Sequence, residues 1–420
     1  MSITNRKSLL IFLVIPFLKP AAIENFDSWK FIDTIFDLWK VLSFLIILFL
    51  FFRQHKISRI MLLIILSQLS LFYSTIISRG DYWSVLVNSG SIIGLCMLTE
   101  LCVNNGDSFT LFKGLFWVTI ILAAINLVTV FVFPEGLYTN LSGGYTMNWF
   151  LGYRNNHIGI LLPCIIFAKI MSIWGTRNWI LELLSLLISS VTIFITWSAT
   201  SVVGFTIILG YLLLFQNKYW GFLFNSVTFS LITFLFFLSV IIFQIQNGIL
   251  RTIVTNMLNR DLTFTGRVYV WDRAIELIKN NSIFGYGVLE TETNMILLNA
   301  VNAHNQFLQV SFQQGIIGTI LFLSILIYAV IVLYRQRNNP IAGVLSVSLF
   351  AFWIMFTQEA YNLLLYYVLI ILSCKTPQII NQHSSFSKRK IRSAHHKKNL
   401  FSSPPPFSQP NSHAANQKFD

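Results

Sequence analysis

The sequence predicts an all-α, polytopic integral membrane protein with about twelve transmembrane helices, and three observations predict it. Of the 420 residues, 55% are apolar and only 11% are charged, and the mean hydropathy is +0.68. A soluble chain of this length could not bury so much apolar surface. The apolar residues also come in runs close to the roughly 20 residues that an α-helix needs to cross a hydrocarbon core about 30 Å thick. Finally, Lys and Arg are concentrated in alternate connectors between those runs.

The runs lie at 8–23, 40–52, 60–78, 83–102, 114–133, 157–174, 180–197, 201–215, 222–244, 305–334, 341–356 and 360–374. With the N-terminus inside, Arg53, Lys56, Arg59, Lys113, Lys169, Arg177, Lys218, Arg335, Arg337 and the basic tail all fall on the cytoplasmic side. That is the asymmetry of the positive-inside rule. It places the segment 245–304, between spans nine and ten, outside the membrane. The expected organisation is a transmembrane domain over 1–374 containing an extracytoplasmic loop at 245–304, followed by a disordered basic cytoplasmic tail at 375–420. The first run, after Arg6 and Lys7, reads as a retained span rather than a signal peptide.

Besides 245–304, two connectors on the outer side have substance. Residues 24–39 alternate aromatic residues with Asp27, Asp33 and Asp37, the pattern of an interfacial helix or cap on the membrane surface. Residues 134–156 are rich in Gly and Asn, hence a loop. From about 375 the composition turns to Ser, Pro, Gln, Asn and His around Lys388-Arg389-Lys390, which cannot bury a core. Topology accounts for that charge, so a nucleic-acid partner is not implied, whereas anionic lipid is. Cys96, Cys102, Cys164 and Cys374 lie in or beside apolar runs without ligand-like clustering, which argues against a disulfide or zinc site. No internal repeat of the transporter kind is present.

The 245–304 segment and the helix after it concentrate the polar chemistry. Residues 266–280 have helical periodicity, with Val268, Trp271, Ile275 and Ile278 on one stripe and Thr265 as N-cap. Arg267 then falls in the first turn, where N–H groups and a guanidinium can converge on an anion. Gly285 and Gly287, in Ile283-Phe284-Gly285-Tyr286-Gly287, allow a sharp bend or close approach to a ligand. The spacing is not that of a nucleotide phosphate loop, which would also carry a Lys. His304 begins a helix to about residue 334, roughly 45 Å long at 1.5 Å per residue. That exceeds one span, so its first turns project outward or line a cavity. Gln306, Gln309 and Gln313 share one face there. A neutral imidazole at that boundary, beside Asn305, is placed to act as a base. Arg154, Asn155, Asn156 and His157 cluster on the same side, and Glu359 can hold a base or pair with an Arg.

Together these pieces resemble the superfamily of O-antigen ligases and O-antigen or capsular polysaccharide polymerases. The resemblance is carried by Thr265-Gly266-Arg267, Trp271, the 281–287 turn, Ala303-His304-Asn305 through Gln309, and residues 313–323. A looser likeness covers 150–160. It implies a membrane glycosyltransferase of the C class, working without metal or cofactor on a glycan linked to undecaprenyl pyrophosphate. Arg267 would bind the pyrophosphate and His304 would deprotonate or orient the acceptor hydroxyl. Arg154, Asn156, Gly285, Gly287, Asn305 and Gln309 would contact substrate. A flippase and a chain-length regulator would be further partners. Many relatives carry an Arg after a Ser at the outer end of the middle spans. Here Trp197-Ser198-Ala199-Thr200-Ser201 has none, leaving Arg154, Arg251, Arg260 or Arg273 to substitute, or a different grip on the donor.

The resemblance favours a polymerase of lipid-linked repeat units, with a ligase that moves finished glycan to another acceptor as the alternative. A lipid-linked oligosaccharide flippase, from another class, would place ionisable groups or broken helices near mid-membrane. No motif on the acceptor side separates the first two.

Overall fold

The structure, a computed structural model, describes residues 3–54, 57–140, 145–176, 179–214, 223–242 and 263–387. Arg251, Arg260 and the basic cluster of the tail lie outside them. Short polar residues in the connectors start the helices by accepting orphan N–H groups. Ser58 caps the helix at Arg59–Ile77 (α4), Asp81 caps Tyr82–Asn104 (α5), and Asn225 caps Ser226–Phe237 (α10). Before these come Ile3–Val14 (α1), Ala21–Asn25 (α2) and Lys30–Gln54 (α3), and between them Ser108–Val132 (α6), Ile158–Met171 (α7), Trp179–Thr196 (α8) and Ala199–Leu214 (α9). Thr263–Asn280 (α11), Thr291–Leu298 (α12), Gln306–Arg335 (α13), Pro340–Phe356 (α14) and Leu364–Cys374 (α15) follow.

Among the described residues, seven helices are long and apolar enough to cross a membrane, or eight if α15 and the helix Thr376–Ser387 (α16), bent by 71°, form one span. Shorter apolar helices lie at Leu9–Leu18, α9, Ser226–Ile241 and α14. Each of the twelve apolar runs therefore coincides with an apolar helix, while length and composition alone qualify seven or eight as crossings. The protein is an all-α, multi-pass membrane protein.

Burial sorts the helices. The span Arg154–Gly175 is 72% buried and α5 is 67% buried, whereas Lys30–Arg53 is only 17% buried, so α5 and α7 are central and α3 lies at the periphery. Apolar side chains gain little from leaving lipid, so close packing carries association, and glycines permit it. A Cβ at Gly343 would strike the Tyr211 hydroxyl, and one at Gly204 would strike the Met355 sulfur. At the end of α15 remote from Glu359, Lys375 Nζ pairs with buried Glu100 Oε1 at 2.7 Å, and Ser58 Oγ donates to Glu100 Oε2 at 2.8 Å. This clamp ties α4, α5 and the α15–α16 bend together.

Several expectations are corrected. Residues 30–39 are not a surface helix but the first turns of α3, pinned by Lys19 Nζ to Asp33 (2.7 Å) and Asp37 (2.9 Å). The 134–156 stretch is not a plain loop. It forms a three-stranded antiparallel sheet of Tyr138–Asn140 (β1), Tyr145–Trp149 (β2) and Gly152–Tyr153 (β3), then a turn of 3₁₀-helix at Arg154–His157. Aromatic and β-branched residues suit the pleat, and Gly152 turns the chain with φ +93°. The tail does not begin at 375: Thr376 and Ile379 are buried, and Gln382 Nε2 donates to the Val103 carbonyl at 2.6 Å, so α16 is packed structure.

Candidate functional site

The site is built on a broken helix. α13 does not run straight from residue 304, because Gly315 interrupts it with φ +59° and ψ −157°. Helix breaks at membrane depth must be satisfied by neighbouring backbone, and the Ile283–Gly287 turn supplies it. Tyr286 N donates to Phe312 O and Gly287 N to Gln313 O, both at 2.8 Å, and Ile316 N donates to Ser282 O at 2.8 Å. The Ser74 hydroxyl of α4 lies against the carbonyls of Gln313 and Phe284. A Cβ at Gly285 would lie 2.5 Å from Phe312 O and one at Gly287 2.4 Å from Thr75 Cα, so both positions demand glycine. These two glycines are buried against backbone, and their packing gives them a scaffolding role.

That scaffold presents the start of α13. Asn305 caps it, its Oδ1 accepting from Leu308 N at 3.0 Å while its Nδ2 donates to Thr357 O at 2.9 Å. His304, before the cap, is held at φ +45°, a conformation uncommon for a residue with a side chain and frequent at functional positions. Its own N–H donates to Asn302 Oδ1 at 2.8 Å. The strained turn delivers His304 Nδ1 to Glu359 Oε1 at 2.8 Å. An ionised carboxylate only accepts, so Nδ1 carries the proton and Nε2 is left as the basic nitrogen.

Glu359 is the hub. Its Oε2 accepts from Asn155 Nδ2 at 3.2 Å and stands 3.6 Å from Arg267 Nη2. Arg267 Nη1 donates to Gln358 O at 2.6 Å. Ser198 Oγ donates to Asn155 Oδ1 at 2.6 Å, and Ser201 Oγ to Ser198 Oγ at 2.8 Å. The side chain of Glu359 is 7% exposed, against 20% for His304 and 27% for Arg267, so the acid is covered while the base and the cation face outward. Beside them, burial and then the Glu359 charge push the Tyr361 phenol well above its ordinary range.

One cavity reaches this group and a groove begins one turn along α13 from His304. An apolar groove of about 410 Å³ between α10 and α13 is lined by Phe234, Phe237, Phe307, Leu308, Phe322 and Trp353 among others, and Phe307 and Leu308 follow His304 by one turn. A polar cavity of about 390 Å³ reaches Glu359, Asn155 and Asn302 from the side of the small sheet.

Residues 184–323 match the family model described as O-antigen ligase. This segment is similar to the O-antigen ligase family. No curated protein matches the chain. The match, which spans a third of the chain, supports a role among membrane polysaccharide ligases and polymerases. The O-antigen ligase segment supplies Ser198, Arg267 and His304, whereas Asn155 and Glu359 come from outside it.

Relative to the sequence reading, the structure brings His304, Arg267 and Glu359 together. Arg267 is not in the first turn of its helix: α11 begins at Thr263, so the guanidinium acts from the helix flank rather than beside free N–H groups. Its apolar stripe is as expected, with Trp271 buried and Val268, Ile275 and Ile278 packed around it. Asn305 and Gln309 are buried and hold the approach to α13, Gln309 Oε1 accepting from Ala303 N at 2.8 Å. Arg154 folds back on Tyr153, its Nε donating to the phenol at 3.3 Å. Arg273 is tied to Glu276 (2.6 Å) and to Leu297 O (3.0 Å). Asn156 lines the polar cavity. Asn155 and Ser198 were underweighted by sequence reasoning. Their signal was the Arg-free Trp197–Ser201 stretch, whose serine reaches the carboxylate through Asn155.

Proposed function

We propose that the protein polymerises glycan repeat units carried on undecaprenyl pyrophosphate, at the outer face of the plasma membrane. The observation that supports this best is the Glu359 carboxylate holding His304 and Arg267 at a polar cavity, with an apolar groove starting one turn along α13. The groove suits the prenyl chain of the donor and leaves its pyrophosphate beside Arg267. His304 Nε2 takes the proton of the acceptor hydroxyl as its oxygen attacks the anomeric carbon. The bond from that carbon to the pyrophosphate oxygen breaks, and the electron pair leaves with the pyrophosphate. Arg267 stabilises the charge that develops there. Glu359 fixes the ring tautomer and stabilises the imidazolium that forms. Asn155, oriented by Ser198, keeps the second carboxylate oxygen in place.

The test compares cells carrying His304→Ala or Arg267→Ala with wild type, at equal protein level, for polysaccharide ladder and lipid-linked intermediates. The polymerase reading expects single repeat units on the outer leaflet. Long lipid-linked chains in the mutants would instead identify a ligase, intermediates held on the inner leaflet a flippase, and a normal product would sink the site.

A further inference from the structure

The polar cavity beside Glu359 has a composition that the reaction alone does not require. Its lining includes Asn25 of α2, Tyr138 of β1, Asn148 of β2, Tyr153 of β3, Asn302 and Asn362, along with Asn155, Asn156 and Glu359. Lys, Arg and His are missing from the lining among the described residues, and Glu359 is its one carboxylate. Amides donate and accept at once, as sugar hydroxyls do, and the tyrosine rings offer flat apolar faces. Burial first, and Glu24 second, push the Tyr138 phenol up to about 12, so it remains an uncharged partner at any working pH. Asn156 and Asn362 are exposed, and among the described residues their side-chain amides make no hydrogen bond within the protein. The volume of about 390 Å³ lies in the range of small-ligand sites.

We propose that this cavity is the acceptor subsite, and that it selects an uncharged terminal sugar over one bearing a carboxylate or phosphate. The proposal rests on the glycosyl-transfer reading above. Glu359 and Asn155 belong both to the cavity and to the His304–Arg267 group, so a hydroxyl presented from the cavity arrives beside the base. An anionic sugar would meet the Glu359 carboxylate there, with no Lys, Arg or His among the described residues of the lining to pair with it. The cavity therefore discriminates by repulsion as well as by hydrogen bonding.

The test uses the full-length chain in nanodiscs, supplied with the lipid-linked glycan that accumulates in cells lacking the protein. Two acceptor probes are compared: the glycan released from that lipid, and the same glycan with its primary alcohols oxidised to carboxylates. Wild type is expected to use the unoxidised probe with a KM about tenfold or more lower. Loss of one amide partner in Asn362→Ala should raise the acceptor KM about tenfold with donor KM unchanged. Asn362→Arg, or Asn156→Arg at a second exposed position, should narrow the preference to about threefold or less, and thermal unfolding reports whether each variant is folded. Equal use of both probes by wild type, or an Asn362→Ala effect on donor KM alone, overturns the acceptor assignment while leaving the transfer reading intact. A wild-type protein that binds donor and transfers to neither probe sinks both.

Discussion

His304 Nδ1 and Glu359 Oε1 meet at 2.8 Å although 55 residues separate them. The contact joins the strained approach to α13 with the connector between α14 and α15, and it decides which ring nitrogen is free for chemistry. Replacing Glu359 with Gln keeps the shape but presents an amide whose N–H₂ can donate to Nδ1, favouring the wrong tautomer. The expected outcome is a fall in kcat of about 10²-fold or more, at unchanged protein level, in a reconstituted transfer assay. A variant with wild-type kcat would remove Glu359 from the mechanism.

Arg267 divides its donors between a carbonyl and a carboxylate, and in the proposed reaction its remaining donors meet the pyrophosphate. A Lys at this position retains the charge but not the planar fork. Arg267→Lys is expected to lower kcat/KM for the lipid-linked donor by about 10²-fold, while Glu359 stays in place. The comparison is between donor and acceptor titrations, and a selective rise in acceptor KM would contradict the assignment.

Gly315 is required on two counts, a positive φ and the Ile283 backbone in the path of any Cβ. Gly315→Ala is expected to cost at least about 1–3 kcal/mol through backbone strain, with the clash in addition. The readout is the unfolding temperature in detergent. A variant as stable as wild type would show that the turn and the kink separate easily.

The Glu100–Lys375 clamp predicts a non-additive pair. Glu100→Leu strands a buried ammonium and is expected to cost about 3–5 kcal/mol, whereas Glu100→Leu combined with Lys375→Met should recover most of the loss. Thermal unfolding of the two variants measures this. Transfer by the double variant should be near normal, because the clamp lies at the far end of α15 from the site.

Apolar runs and charge asymmetry were enough to read the all-α, multi-pass architecture, since lipid permits few backbone solutions. The pair Arg267 and His304 was legible because polar residues concentrated at one membrane boundary need a reason. Glu359 was only weakly legible, being a single acid in a short connector whose partners lie far away in sequence. The 285–287 glycines pointed to a ligand because sequence shows that backbone must come close to something, without showing that the something is a broken helix. The sheet at 138–153 escaped for a related reason: its strands are two to five residues long, too short for periodicity to register among glycines and asparagines.

The interlock of the turn with the kink also bears on biogenesis. Ser74 reaches carbonyls 210 and 239 residues later in the chain, so α4 waits in the membrane for most of synthesis before its partners arrive. A nascent chain that has reached α13 already has its histidine and its arginine, yet it lacks the acid that orients them. On the proposed mechanism the group would be complete only once the connector between α14 and α15, which carries Glu359, has been inserted.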